Sequence, residues 1–278
     1  MRLPAKIYTF LIFTFLYAPI AVMIFFSFNA SNSTGLFTGF SLRWYGELMH
    51  NQSVMQALTN TLALAVGSAL LATIIGTAAA VGIDRWKKGI IKNSVMNVTN
   101  IPMMNPEIVT GVSMMLLFVF MGQLVGRKEI LGFGTLLIAH VTFNLPYVVL
   151  SVLPKLRQTD PFLAQAAQDL GCTPFKAFFK AVLPAISSGI FTGLLMAFTL
   201  SLDDFIISYF TAGPGFQTLP ITIFSMTKKR VKPDMYALST LIFVSILVLL
   251  VAINVAQARS DKKRKKIEGE AFAYEKGV

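Results

Sequence analysis

The chain has 278 residues, of which 55% are AVILMFWYC and 13% are Asp, Glu, Lys or Arg, about half the charged share of a soluble domain. A mean hydropathy of +0.66 leaves too few polar groups to cover a water-facing surface, which excludes a soluble enzyme and indicates an integral membrane protein. The 24 Lys and Arg against 13 Asp and Glu fall in short segments between apolar runs rather than in a basic stripe with aromatics, so nucleic acid is not an expected partner.

Six runs reach the roughly 20 apolar residues that a helix needs to cross a bilayer. The first, 7–28, follows Arg2 and Lys6; it is too long for a signal-peptide core and lacks a clear small-residue cleavage site, so it reads as a retained helix. The second, 57–83, is free of charge, and the third, 93–126, carries only Glu107 in a stretch interrupted by Pro102 and Pro106. The fourth, 130–154, holds His140 and Asn144 one turn apart, a spacing that suits hydrogen bonding across helices, or alternatively a proton relay or ion site. The fifth, 185–209, is broken only by Asp203 and Asp204, and the sixth, 235–258, is charge-free. Cys172 stands alone, and His50 and His140 are far apart, so no disulfide or metal site is expected.

An even number of spans puts both termini on one side. That side holds 17 of the Lys and Arg residues against seven on the other, so the termini are expected in the cytoplasm. The cluster at 228–232 is the exception to this bias, and the group at 262–266 has anionic lipid headgroups as sufficient partners. The expected architecture is all-α: a six-helix transmembrane domain over 1–258 and a basic cytoplasmic tail over 259–278.

The segment between the fourth and fifth spans is too polar to cross and too rich in helix signals to be a linker. Asp160 with Pro161 reads as a helix start and Gly171 as its end; Thr173 with Pro174 repeats the start. The second helix would place Phe175, Phe178, Phe179 and Val182 on one face and Lys176 and Lys180 on another, until Pro184. By periodicity alone the knob over about 160–184 suits a helix pair lying on lipid headgroups.

Acidic residues within spans are costly and mark a pathway or a buried partner. Glu107 reads as lying near the middle of the third span, and Asp203 about 9 Å beyond the middle of the fifth, toward the outside. Adjacent carboxylates at the C-terminal pole of an outward-running helix are disfavoured by the macrodipole and by each other, and a cation would relieve both. Only one of Asp203 and Asp204 need face a path, because helix neighbours are about 100° apart. Two plainer readings stand beside this one. The Asp pair could sit in an outer vestibule or pair with a basic residue of a partner, and a protonated Glu107 could donate to a carbonyl freed by the prolines.

The string Gln165-Ala-Ala-Gln-Asp-Leu-Gly171, followed after eleven residues by Leu183-Pro184, resembles the EAA loop of ABC-importer permeases. The resemblance implies a coupling helix that inserts in a cleft of a cytoplasmic ATPase, carried here by Gln165, Ala166, Ala167, Gly171, Leu183 and Pro184. Gln165 replaces the usual Glu and Ala181 a common Ile, so no salt bridge from the first position is implied. Pro106-Glu-Ile-Val109, His140-Val-Thr-Phe-Asn-Leu-Pro146, Leu200-Ser-Leu-Asp-Asp-Phe205 and Thr211-Ala-Gly-Pro214 are similar to the PotC-type permeases of spermidine/putrescine importers. That family implies a heterodimer with a second homologous permease, two ATPase subunits that use ATP and Mg²⁺, no cofactor on this chain, and an extracytoplasmic polyamine-binding protein, all at a bacterial inner membrane.

For polyamines, with several ammonium groups on a flexible chain, the expected path is Asp203, Asp204 and Glu107 with Phe205, Tyr209, Phe143 and Tyr147 as cation–π surfaces. The nearest alternative keeps the architecture and changes the solute to an amino acid or a metal ion. A secondary transporter is a more distant one, since its usual inverted repeat is not evident. No nucleotide-binding glycine loop and no nucleophile with a base recur in the spans, so ATP hydrolysis is expected in another chain.

Overall fold

In the computed structural model the described residues are 3–31, 36–86, 89–127, 129–228, 234–248, 250–251 and 255. The expectations for Arg2, Lys87, Lys88, Lys128, the greater part of the 228–232 cluster and the 259–278 tail lie outside them. Among the described residues all regular structure is helical, apart from one isolated bridge between Asn29 and Phe40.

The helices in chain order are α1 (Leu3–Ser27), α2 (Arg43–His50), α3 (Gln52–Arg85), α4 (Ile90–Met104), α5 (Glu107–Leu124), α6 (Phe133–Gln158), α7 (Leu163–Asp169), α8 (Pro174–Ala185), α9 (Ser187–Asp203), α10 (Ile206–Thr211), α11 (Leu219–Thr227) and α12 (Asp234–Val248). Of these, α1, α3, α5 and α6 are each long and apolar enough to cross a membrane, and α8 with α9 makes a fifth if that bent pair is one span. The chain divides into two compact units, one of residues 1–52 with 226–278 and one of residues 53–225.

In the first unit α1 exposes large apolar side chains all round, among them Phe10, Phe15 and Phe25, as a helix facing lipid or another subunit must. Beyond it the chain folds back on Asn29, whose amide donates to Leu36 O at 2.7 Å and accepts from Thr38 N at 2.9 Å. The Trp44 indole N–H then donates to Asn29 O at 2.7 Å and anchors α2.

The second unit holds the polar spans. In α3 the buried face is small, with Ala65, Ser68, Ala69, Ala72, Gly76 and Ala80, while Leu62, Val66, Leu70 and Ile74 point out. This inversion of the soluble pattern is expected where lipid is as apolar as leucine and association comes from close approach. Gly67 faces Leu137 and Gly76 faces Val148, so α3 and α6 run in parallel. Helix α9 runs the other way along α6 on a four-residue stripe of Gly189, Gly193, Ala197 and Ser201, all buried. A Cβ at Gly189 would lie 2.9 Å from Ser151 O, so these two backbones are in direct contact.

Three sequence expectations change. The third run is not one helix, because Pro106 forces Asn105 into extended geometry (φ −79°, ψ 142°) and ends α4. Glu107 therefore stands exposed in the first turn of α5, not at mid-span. The fifth run stops at Asp203, where Asp204 is extended (φ −62°, ψ 123°), and resumes as α10. In the knob, α7 starts at Leu163 rather than Pro161, because the Asp160 carboxylate accepts from Phe162 N in a turn of its own at 2.8 Å.

The loop after α10 is tightly seated. Gly213 has φ +72°, and a Cβ there would lie 2.5 Å from Leu131 O. Gly213→Ala combines a left-handed backbone with a clash against rigid main chain and is expected to cost about 2–5 kcal/mol. A lower unfolding midpoint of the purified protein checks it, and an unchanged midpoint would mean that the loop relaxes.

Candidate functional site

The two aspartates meet different fates at the α9–α10 break. Asp203, the last residue of α9, is exposed. Asp204 is buried and accepts from the backbone N–H of Ile207 at 3.2 Å and of Ser208 at 2.7 Å, tying down the first turn of α10. The misfit of two carboxylates at one helix C-terminus is resolved by ending the helix between them and giving the second to the start of the next.

Asp204 also lies 3.4 Å from Nε2 of His140 on α6, which is fully buried. The same Nε2 is 3.0 Å from the Ser208 hydroxyl, and Nδ1 is 2.6 Å from the Ser201 hydroxyl, itself 2.8 Å from Ser68 on α3. His140 thus bonds across helices. Asn144, one turn on and equally buried, finds no hydrogen-bond partner among the described residues.

The aromatic candidates separate into two groups. Phe205 and Tyr209 lie 5.5 Å apart between ring centroids, and Phe224 of α11 joins them at 4.6 Å from Phe205 and 6.3 Å from Tyr209. Tyr209 is half exposed, so the cluster offers ring surface beside the end of α9. Phe143 is buried against Ala139 and Ile207, and Tyr147, 5.6 Å from it, is partly open. Phe224 and Ser68 carry no sequence signal, because nothing local marks which phenylalanine or serine a break 20 to 140 residues away will meet, and Ser208, four residues past the break, meets a histidine 68 residues earlier.

The knob offers a second surface. Helix α7 ends in a full Schellman motif, with Gly171 at φ +87°, its N–H donating to Gln168 O at 2.8 Å, and Cys172 N donating to Ala167 O at 3.1 Å. Thr173 caps α8, accepting from Lys176 N at 3.4 Å, with Pro174 in the first turn. Gln165, Ala166 and Gly171 are exposed, Ala167 and Leu183 are half-buried, and Pro184 is exposed. Phe162, Leu170 and Phe175 are more than 60% exposed, large apolar side chains in the polar segment between the fourth and fifth runs. A π-turn over Phe178–Val182 shifts the register of α8, so Phe178 and Val182 turn partly inward while Phe175 and Phe179 pair on the surface at 4.6 Å. The chain then bends by 70° into α9.

Residues 72–266 match the family of binding-protein-dependent transport system inner membrane components. The chain is 39% identical over 265 residues to the putrescine transport system permease protein PotI of Escherichia coli strain K12, covering 95% of this chain and 94% of that one. It is 39% identical over 242 residues to the spermidine/putrescine transport system permease protein PotC of the same strain, covering 87% and 89%. Among solved structures, a bacterial alginate ABC transporter bound to its periplasmic protein has a chain with TM-score 0.71 at 17% identity, covering 92% and 94%, and the MetNI methionine ABC transporter has one with TM-score 0.56 at 21%, covering 75% and 96%. The likeness to these last two is one of fold. With an all-helical fold, several apolar helices and matches that run nearly end to end, this chain belongs to the inner-membrane permease family of binding-protein-dependent ABC importers.

Proposed function

We propose that the chain is the permease subunit of an ATP-driven importer of polyamines, spermidine or putrescine, that works by alternating access. The observation that carries this reading is the 39% identity, across nearly the whole chain, to two permeases named for putrescine and for spermidine/putrescine. The site suits the substrate: an exposed carboxylate at Asp203 ends α9 two residues before Phe205, whose ring meets those of Tyr209 and Phe224, and Glu107 is exposed at the start of α5. A flexible chain of ammonium groups needs carboxylates at intervals with aromatic faces between them.

In this reading the chain pairs with a second homologous permease, spans the membrane six times with both termini in the cytoplasm, and receives substrate from an extracytoplasmic polyamine-binding protein. Two ATPase subunits dock on residues about 160–184 and supply the ATP and Mg²⁺ chemistry. The exposed Phe162, Leu170 and Phe175 provide apolar contact area for that docking, and Ala166 and Gly171 permit close approach.

Uptake of labelled spermidine and putrescine by transport-deficient cells carrying the chain with its partner genes tests the reading. ATP-dependent uptake of either supports it. An assembled complex that hydrolyses ATP but takes up neither would return the search to other solutes.

A further inference from the structure

Four helices of the second unit meet at the His140 ring. Ser68 reaches it from α3 through Ser201 on α9, and Ser208 and Asp204 reach it from the start of α10 and the residue joining the two. Ser201 and Ser208 stand on opposite sides of the break, so one imidazole bridges the two half-helices. An ionised carboxylate only accepts hydrogen bonds, so the Asp204 oxygen facing Nε2 selects the tautomer with Nε2–H. Nδ1 then accepts from the Ser201 hydroxyl, and Ser201 Oγ is left to accept from Ser68, whose hydroxyl also lies 3.3 Å from Ala65 O. Buried networks with every member satisfied hold a single geometry. Ala139, Phe143 and Ile207 pack around it, and α10 also lies close against Gly111 of α5 and accepts from the Thr135 hydroxyl at Thr211 O, 3.0 Å, but of these contacts only the His140 network also reaches back across the break to α9.

We propose that His140 is a positioning residue for the substrate path: by clamping the end of α9 to the start of α10 it holds the Asp203 carboxylate and the Phe205, Tyr209 and Phe224 rings in the arrangement that a polyamine meets. His140 is fully buried and does not itself reach substrate. The proposal rests on the polyamine reading for the identity of the substrate alone.

The test uses the assembled transporter in lipid vesicles with spermidine as probe. His140→Ala is expected to raise KM about tenfold with kcat held within about twofold. His140→Gln, whose amide can donate toward Asp204 and accept from Ser201, is expected to restore most of that loss. Ser208→Ala cuts only the α10 tie and is expected to fall between. A fall in kcat and protein level at unchanged KM would overturn the proposal, since a residue that only fills space behaves that way.

A second readout needs no substrate. In a Cys172→Ser background, Ile207→Cys places a thiol at a fully buried position of α10, expected to resist a water-soluble maleimide. Adding His140→Ala is expected to raise the labelling rate about tenfold as the half-helix loosens, and adding His140→Gln to leave it low. Equal labelling in all three overturns the clamp. If the wild type takes up no spermidine, the polyamine reading fails by itself and the labelling still decides His140.

Discussion

Asp203→Asn is expected to cut polyamine uptake about ten- to hundredfold while the protein accumulates and assembles normally. The basis is the contrast at the break: Asp203 is exposed and Asp204 is buried with three protein neighbours. A charged hydrogen bond to an ammonium contributes about 1.5–3 kcal/mol, which is one to two decades in rate or affinity. Asp204→Asn is expected to act differently. Its two oxygens serve two separate backbone N–H groups, and an amide can serve only one, so it should lower stability by about 0.5–2 kcal/mol as lost helix caps do. Paired uptake and melting measurements on the two variants separate these effects. Retention of uptake within about twofold by Asp203→Asn would remove that carboxylate from the path.

The second large effect is expected at Gly171, read as a pair of substitutions. Its φ of +87° strains any L side chain, while a Cβ there meets nothing within 4 Å in this chain. Gly171→Ala and Gly171→Leu should therefore carry the same backbone cost, about 1–2 kcal/mol, on the permease alone. They differ only in bulk, and bulk at an open position is felt only by something docked against it. Gly171→Ala is expected to keep an appreciable share of transport and Gly171→Leu to lose about a hundredfold, with both proteins in the membrane. Equal impairment of the two would mean that the glycine serves its turn and no docking surface.

Much of this was legible in the sequence because the signals are local. The first, second and fourth apolar runs, the Thr173–Pro174 start and the Gly171 stop each depend on residues within a turn or two, and each appears where the pattern places it. Glu107 was misplaced because an apolar run shows length and not continuity, and Pro106 ended the helix inside it. The π-turn at Phe178–Val182 left no mark either, since its extra residue changes register without changing composition. The different environments of Asp203 and Asp204 were hidden for another reason. They depend on His140, more than 60 residues earlier in the chain, and long-range partners of a buried carboxylate have no one-dimensional signature.

The stripe of Gly189, Gly193, Ala197 and Ser201 has a mechanical side. With only glycine, alanine and serine on the α9 side of its seam with α6, the layer between the two backbones is thin, and close-packed interiors transmit strain rather than damp it. Helix α9 is 17 residues, about 25 Å, from the bend below the knob to Asp203. It is a stiff strut with the proposed docking surface at one end and a carboxylate at the other, so in that reading a push on the first arrives at the second as a movement of the whole rod.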